Sequence, residues 1–341
     1  MFFMIMGDYY IFMTVREQTE ILELSTLSRY ACTASGNGRR IKYEEKCPLR
    51  TEFQRDRDRI LHCNSFRRLK RKTQVFLSPA GDHYRTRLTH TLEVSQIART
   101  VARAMRLNED LTEAIALGHD LGHSPFGHSG EAILDEICPY GFKHYLQSVR
   151  VVHYIEKKGQ GLNLTYEVKN GIACHTNAAA ATAEGNIVRL CDKIAYINHD
   201  IEDSIRAGIL NPGDLPQNAV RVLGKTKSQR ITTLISSIIE NGPEEIRMTS
   251  KIKAAHDELR SFMFDSVYTN PAAKSEEKKA KHIVEQLYGY FKKNPQKMPE
   301  EYIRICRDSD CDRAVCDYIS GMSDGYAVDL YNSLFVPQFW K

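Results

Sequence analysis

Apolar residues that recur at intervals of three and four constrain the fold of this chain more than any other feature of its sequence. One such run predicts a buried helix over about 87–106, with its apolar positions at Leu92, Ile97, Val101 and Met105. A second helix is expected from Asn108 to about Gly122, and a third over about 186–207. Further helices are predicted at 52–72, 145–157, 217–240, 245–268, 276–293 and 300–320.

Strand signals are scarce in comparison. Only 73–77 and 163–168 have the composition of strands, and together they would make no more than a short ribbon. The predicted fold class is therefore all-α. A polar stretch with proline and glycine at 211–218 is the best internal boundary. We expect an N-terminal arm (1–50), a core (51–210) and a C-terminal helical region packed on that core (211–341).

The composition is that of an ordinary globular protein. The 341 residues are 42% hydrophobic and 26% charged, and the net charge of +4 creates no field that would demand a nucleic-acid partner. The apolar start, Met1–Met6, is too short to span a membrane and lacks the positive flank of a signal peptide. We expect a cytoplasmic protein without a membrane anchor, whose natural start is either Met1 or Met13.

The nine cysteines show no pair at zinc-ligand spacing. Cys306, Cys311 and Cys316 are five residues apart, which is wider than the usual ligand spacing. Free thiols in a reducing cytoplasm are the expected state.

Histidines and carboxylates crowd one short segment at the predicted end of the second helix. The residues are His119, Asp120, His123, His128 and Glu131, with glycines between them that keep the backbone compact. A structural turn with solvated histidines is the ordinary alternative. We favour a functional site, because such side chains contribute nothing to apolar packing and their concentration usually marks chemistry.

An adjacent His-Asp pair supplies two metal ligands, and a protein-held metal needs more. His90 and Asp192 lie within the predicted helices and are the candidates for the rest. Taken alone, each has an ordinary interpretation. His90 would be a satisfied core histidine, and Asp192 would form a buried ion pair with Lys193.

Taken together, these residues resemble the H…HD…D signature of HD-domain phosphohydrolases. A wider set of segments is similar to the dGTP triphosphohydrolase branch of that family, over the chain from about residue 25 to its end. These segments are Phe66–Lys70, Lys72–Phe76, Gly81–His90, His119–Glu131, Asp192–Tyr196 and Ser320–Ala327. The resemblance implies an HD-domain helical bundle with additional C-terminal helices.

The resemblance also implies a ligand set and a reaction. The metal ligands would be His90, His119, Asp120 and Asp192. Two imidazoles and two carboxylates suit a divalent ion, with Mn²⁺ or Mg²⁺ first and Fe²⁺ or Zn²⁺ as alternatives. The expected activity is hydrolysis of a deoxynucleoside triphosphate (dNTP) to deoxynucleoside and tripolyphosphate, in the phosphoric monoester hydrolase class.

Two other functions stay open at this point. One is a different HD phosphohydrolase reaction, on nucleotide monophosphates, cyclic nucleotides or guanosine tetraphosphate. The other is a nucleotide- or nucleic-acid-binding module with a vestigial site.

By the same resemblance, His128 is the catalytic base and Glu131 its acidic partner. Glu131 could reach back to His128 if a helix begins near Ser129. His123 and His144 would face the phosphates. Arg87 and Lys193 would contact the triphosphate, although ordinary ion pairing is the alternative for both.

Asp192, Tyr196 and Asp200 recur at steps of four, so one helix face presents all three. Asp200 would lie about 12 Å along the helix from Asp192. In the family, the equivalents of Tyr196 and Asp200 contact the deoxyribose, and Gln74 shares the 3′-hydroxyl. Core packing is the alternative for Tyr196.

A basic run lies near the start of the predicted core. Its residues are Arg55, Arg57, Arg59, Arg67, Arg68, Lys70, Arg71 and Lys72. The first interpretation is a solvated helix face, ion-paired with interleaved carboxylates. The second is a nucleotide effector site at a subunit interface, and the third is contact with single-stranded nucleic acid. The resemblance implies a homo-oligomer, a hexamer or a tetramer.

Overall fold

The computed structural model describes residues 13–74, 85–268 and 271–337. Within these residues the secondary structure is helical, and the predicted all-α fold is confirmed. The predicted ribbon residues 75–77, the motif residues 75–76 and 81–84, and the apolar start Met1–Met6 lie outside the described residues.

Apart from an irregular four-residue turn at Glu156–Gly159, the first half of the chain forms nine helices in the described part. They are α1 (Val15–Thr26), α2 (Glu52–Leu61), α3 (Asn64–Arg68), α4 (Arg87–Ala104), α5 (Glu109–Gly118), α6 (Gly127–Ile137), α7 (His144–Arg150), α8 (Tyr166–Cys174) and α9 (Ala183–Arg206). A π-helical turn at Val151–Ile155 continues α7, and a 3₁₀ turn at Leu69–Arg71 follows α3.

The C-terminal region adds seven more described helices. They are α10 (Gln217–Leu223), α11 (Lys227–Asn241), α12 (Ser250–Met263), α13 (Pro271–Lys293), α14 (Glu300–Asp308), α15 (Cys311–Ser320) and α16 (Asp324–Phe335). A π-helical turn at Phe264–Tyr268 extends α12. Helix α13 packs on α6, and α11 and α12 pack on α9, while the predicted domain boundaries themselves stay a prediction.

Side-chain caps fix where the site-bearing helices begin. Thr86 accepts a hydrogen bond from Thr89 N at the start of α4, and Asn108 accepts from Leu111 N at the start of α5. Thr182 does the same for Gly185 N at the start of α9. Each cap satisfies a backbone N–H that the first helical turn leaves free.

The core that positions the site lies between α4, α5 and α9, which pack closely on one another. Fully buried apolar side chains fill it, among them Val94 and Ala98 of α4, Ile115 of α5, and Ile187 and Ile194 of α9. The three helices therefore hold their polar ends and faces in fixed positions relative to one another.

Some expectations about local structure are wrong. The segment 163–168 leads into helix α8, and the only β-type pairing among the described residues is a single bridge between Thr73 and Thr86. The predicted helices at 52–72, 217–240 and 300–320 are each broken by a turn. No helix in the described part of the chain is both long and apolar enough to cross a membrane.

The free-thiol expectation is also wrong for one pair of cysteines. Cys306 in α14 and Cys311 at the start of α15 form a disulfide, because the tight turn between these helices brings their Cα atoms to 4.1 Å. The other seven cysteines are free.

Candidate metal centre and active site

Four side chains from three helices meet at one buried point. His90 lies near the start of α4, His119 and Asp120 directly follow α5, and Asp192 lies in the middle of α9. The Nε2 atom of His90 is 3.1 Å from Asp192 Oδ1, and His119 Nε2 is 3.7 Å from the same oxygen. His119 Nε2 is also 3.4 Å from Asp120 Oδ1. The structure thus brings together the four predicted metal ligands.

The hydrogen bonds of His119 show what this cluster can hold. Its Nδ1 atom donates to the Ala116 carbonyl at 2.6 Å, so its Nε2 atom carries a lone pair. That Nε2 atom is buried and has no hydrogen-bond partner among the described residues. A metal-ligating histidine typically donates its other ring N–H to a carbonyl, which fixes the tautomer of the imidazole.

The two carboxylates are poised as anions. Burial opposes ionisation of Asp120, but His119, His123 and Arg87 outweigh it and hold its pKa well below the usual range. For Asp192, burial is likewise outweighed, by the hydrogen bond to His90 and by neighbouring His119, and the pKa falls to about 2. Two anionic carboxylates facing two imidazoles fit a divalent cation. The nearest contacts of the Asp192 carboxylate are with the imidazoles of His90 and His119, and it forms no ion pair with Lys193 in the described structure.

A second group of side chains continues the site beyond Asp120. His123 Nε2 lies 3.2 Å from Asp120 Oδ1, and the His123 ring stacks on His144 with centroids 4.0 Å apart. Asp120, His123 and His144 bring ligand-type atoms within 4.8 Å of one another, as do His90, His119 and Asp120. Asp120 therefore belongs to both groups.

Glu131 binds a different histidine from the one expected. Its carboxylate lies 2.9 Å from His144 Nδ1 and also accepts a hydrogen bond from the His144 backbone N–H at 3.0 Å. The expectation that Glu131 reaches back to His128 is wrong. The reason is the loop after α6, which brings His144 at the start of α7 beside Glu131. Glu131 thus orients His144.

His128 lies at the rim of the site. Its side chain is reachable by solvent, yet enough protein surrounds it that desolvation and Arg87 lower its pKa. Its ring centroid is 6.3 Å from that of His123. A neutral imidazole at the rim can accept a proton from water.

His175 is a residue that the sequence reasoning missed. It directly follows α8, and its Nε2 atom is 3.3 Å from His144 Nε2 while its Nδ1 atom donates to the Ile172 carbonyl. Burial lowers the pKa of His175 to about 4, so it is neutral. The sequence predicts a strand at 163–168, and no neighbouring motif marks this histidine as part of the site.

The two predicted phosphate-binding cations differ in their partners. Arg87 is buried and donates to Asp120 Oδ2 at 2.9 Å, so it forms an ion pair in the protein itself. Lys193 forms no ion pair within the described part of the chain. Burial, with Arg189 and Arg260 nearby, lowers its pKa.

Two of the residues expected to contact the sugar, Asp200 and Tyr196, lie near side chains of the C-terminal region. The Tyr268 hydroxyl donates to Asp200 Oδ2, while Asp200 Oδ1 is buried without a partner among the described residues. Burial raises the pKa of Asp200 to about 7. Burial raises the pKa of Tyr196, and the nearby Arg260 of α12 opposes this rise. The Oε1 atom of Gln74 is also buried and unpartnered in the described structure. Sequence reasoning missed Tyr268 and Arg260, which no motif singled out.

The first part of the basic run is ion-paired, as its first interpretation predicts, whereas Arg67, Arg68 and Lys72 donate to uncharged oxygens. Arg55 and Arg59 pair with Glu44, and Arg57 pairs with Asp110. A cavity of about 440 Å³ lies beside the run, lined in part by Arg50, Arg59 and Arg67.

Comparison with known proteins agrees with this geometry. Residues 87–197 match the HD domain, and residues 246–333 match the phosphohydrolase-associated domain. A deoxyguanosinetriphosphate triphosphohydrolase-like protein of Caldanaerobacter subterraneus subsp. tengcongensis is 55% identical over 96% of this chain and 98% of its own length. Proteins with the same name from Desulfatibacillum aliphaticivorans and Bordetella pertussis are 48% and 37% identical. These alignments cover 95% and 92% of this chain, and 99% and 98% of the relatives.

The motif resemblance is confirmed by these matches, which extend over nearly the whole chain. The chain therefore belongs to the family of HD-domain, deoxyguanosinetriphosphate triphosphohydrolase-like proteins, and it is a metal-dependent phosphohydrolase.

Proposed function

We propose that this protein hydrolyses deoxynucleoside triphosphates to deoxynucleoside and tripolyphosphate, by attack of water on the α-phosphorus. The observation that carries the proposal is the face of α9 that runs from the ligand Asp192 past Tyr196 to Asp200. At its far end, Asp200 offers a buried oxygen with no partner among the described residues. A nucleotide held by its phosphates at Asp192 would lay its sugar along this face.

His90, His119, Asp120 and Asp192 would hold the divalent ion, with Mn²⁺ or Mg²⁺ as the first choices. When bound, such an ion neutralises phosphate charge and polarises the α-phosphate. Phosphoryl transfer depends mainly on positioning and charge neutralisation, so cations around the phosphates are expected. Lys193 would supply one of them, because it forms no ion pair within the described structure. Arg87 would supply another through its Nε–H, which has no partner there.

His128 would accept the proton from the attacking water. It is reachable by solvent, and its lowered pKa keeps it unprotonated near neutral pH. Glu131 would hold His144 so that His144 Nε2 points into the site, where His144 and His123 would contact phosphate oxygens. A carboxylate behind an imidazole fixes its tautomer and its orientation.

Asp200 and Gln74 would bind the 3′-hydroxyl of the sugar. Each has a buried oxygen without a donor in the described structure, and a buried acceptor left unpaired costs about 1–3 kcal/mol. The ring of Tyr196, which lies near Arg260, would press on the sugar and leave little room for a 2′-hydroxyl. The same proposal has the protein acting in the cytoplasm as a homo-oligomer, with a nucleotide effector at a subunit interface.

The experiment is a panel of dNTPs and NTPs with Mn²⁺ or Mg²⁺, with products separated by chromatography. We expect tripolyphosphate and deoxynucleoside from dNTPs and much slower turnover of NTPs. Release of orthophosphate or pyrophosphate instead would refute the reaction. Turnover only of nucleotide monophosphates, cyclic nucleotides or guanosine tetraphosphate would point to another HD phosphohydrolase.

The sugar contacts are tested with dGTP, GTP and 2′,3′-dideoxy-GTP. Loss of the 3′-hydroxyl should lower kcat/KM roughly ten- to a hundredfold, since Asp200 would stay unpaired. Tyr196→Ala should narrow the preference for dGTP over GTP more than it lowers dGTP turnover. Equal wild-type rates for dGTP and GTP would rule out the sugar pocket.

A further inference from the structure

The loop between Asp120 and α6 has an unusual backbone conformation at Phe126. This phenylalanine has φ 63° and ψ 24°, in the left-handed region that residues with a Cβ atom rarely adopt. The loop carries His123, and Phe126 is the capping residue directly before α6, which presents His128 and Glu131. Something must stabilise this conformation, because the side chain itself disfavours it.

Asp324 supplies that stabilisation from the other end of the chain. Its Oδ1 atom accepts a hydrogen bond from the Phe126 backbone N–H at 2.9 Å. Its Oδ2 atom accepts from the Thr73 backbone N–H at 2.9 Å and from the Thr73 hydroxyl. One carboxylate at the start of α16 thus joins the loop before α6 to the segment that carries Gln74.

Lys72 makes a second connection between the same three segments. Its buried ammonium group donates to the His123 carbonyl and, at 2.7 Å, to the Ser320 carbonyl at the end of α15. The Lys72 carbonyl in turn accepts from the backbone N–H of Arg87. The loop is therefore fixed at His123 and at Phe126, and both connections lead to the turn between α15 and α16.

We propose that Asp324 is a positioning residue for the active-site loop, so that the C-terminal region completes the site. The role rests on the proposed function of His128 and Gln74. By accepting the Phe126 N–H, Asp324 holds this residue in the left-handed conformation, and α6 then begins at Gly127 with His128 in its place. By accepting from Thr73, it holds Gln74 beside the loop.

The test compares Asp324→Ala and Asp324→Asn with Ser323→Ala. Ser323 caps the same helix by accepting from Tyr326 N, and no hydrogen bond among the described residues joins its side chain to the loop. Three readouts are needed: kcat and KM for dGTP, bound metal, and hydrogen exchange of the amides in the loop 123–127. The exchange readout does not depend on which substrate the enzyme prefers.

Asp324→Ala should lower kcat by roughly 10- to 100-fold, since small misplacements of catalytic groups have effects of this size. Bound metal should be unchanged, KM should change much less than kcat, and the loop amides should exchange faster. Asp324→Asn keeps one acceptor oxygen and should recover part of kcat. Ser323→Ala should loosen the first turn of α16 and leave kcat and the loop amides close to wild type.

Wild-type kcat and wild-type loop exchange in Asp324→Ala would overturn the proposal. So would equal losses in Asp324→Ala and Ser323→Ala, because the effect would then come from the helix end alone. If Asp324→Ala does not fold, the same criteria apply to Asp324→Asn. If the wild-type protein leaves dNTPs intact, the proposed function fails, while the exchange measurement still decides whether Asp324 fixes the loop.

Discussion

Two of the buried clusters of charge in the described part of the molecule differ in how their hydrogen bonds are satisfied. In the first, the arginine cluster around Arg40, the guanidinium donates to Glu52, to Asp56 and to the carbonyls of Glu52 and Asn163. In the second, the ligand cluster His90, His119, Asp120 and Asp192, the Nε2 atom of His119 has no partner among the described residues. Both clusters are dense, so density alone does not identify a binding site.

The two clusters differ in whether the protein itself supplies every hydrogen-bonding partner. Buried polar groups are normally paired, because an unpaired one costs free energy. The arginine cluster finds its partners within the protein, which indicates a structural role. The ligand cluster has lone pairs and anions that face one another, which indicates a cation from outside. The predictions below test this contrast, from the largest expected effect to the smallest.

Asp192→Ala should abolish metal binding and activity together. The variant removes one of two anionic ligands from the ligand cluster, and the remaining residues hold a divalent ion poorly. Metal content measured by elemental analysis, beside turnover of dGTP, checks this. Lys193→Ala is the matched control, because it changes the next residue on the same helix. This variant should bind substrate more weakly and still bind the metal. Full metal occupancy in Asp192→Ala would remove Asp192 from the ligands.

His128→Ala should lower turnover by roughly 10²–10⁴-fold, the usual contribution of a positioned general base. Metal content and substrate binding should stay near wild type, because His128 is outside the ligand cluster. Single-turnover kinetics with dGTP, together with equilibrium binding, separate these effects. A variant with wild-type rates would show that another residue accepts the proton.

Arg40→Met should destabilise the fold while leaving the site intact. It leaves Asp56 buried without its cation and Glu52 with Arg55 alone, and breaking a buried pair in this way costs roughly 3–5 kcal/mol. Unfolding by denaturant measures the loss, and metal content at low temperature is the control. Loss of metal without loss of stability would contradict the structural role of the arginine cluster.

Glu184→Gln should change how stability depends on pH. Burial raises the pKa of Glu184 to about 7, from 4.5 in an unfolded chain, although the backbone N–H groups of Cys32 and Asn108 donate to its Oε1 atom. Between these two values the unfolded chain releases a proton that the folded chain retains. The wild-type fold therefore loses stability as pH rises from about 4.5 to 7.

Glutamine keeps the Oε1 acceptor and has no proton to release. The free energy of unfolding of the variant, relative to wild type, should thus increase by roughly 1–3 kcal/mol between pH 5 and pH 8. Denaturant titrations at the two pH values measure this change. If the free energies of unfolding of the variant and the wild type differ by the same amount at both pH values, Glu184 is not protonated in the folded protein.

The parts of the fold and site that local sequence signals specify could be predicted. The apolar period of α4 and α9 and the cap at Asn108 have local causes, and the ligand set has a motif of its own. The strand expected at 163–168 was wrong for a non-local reason. The N–H of Thr165 donates to Asp56, and that of Tyr166 donates to the Arg39 carbonyl, which together favour a helix start over a strand.

The contacts that sequence reasoning missed join residues far apart in the chain. Asp324 and Phe126 are 198 positions apart, and Tyr268 and Asp200 are 68 apart. The pairing of Glu131 with His144 depends on the path of the turn after α6. None of these follows from periodicity or spacing, since each is decided by how the C-terminal helices and turns pack on the core.

The site restricts insertions and deletions within helix α9. Each residue added to a helix turns everything beyond it by about 100° and moves it by about 1.5 Å. A single insertion between Asp192 and Asp200 would therefore rotate Asp200 off the helix face that Asp192 occupies, whichever residue was added, and an insertion before Tyr196 would rotate Tyr196 as well. Relatives that differ in length should carry their insertions and deletions outside this stretch, and a change of substrate should arise there by substitution alone.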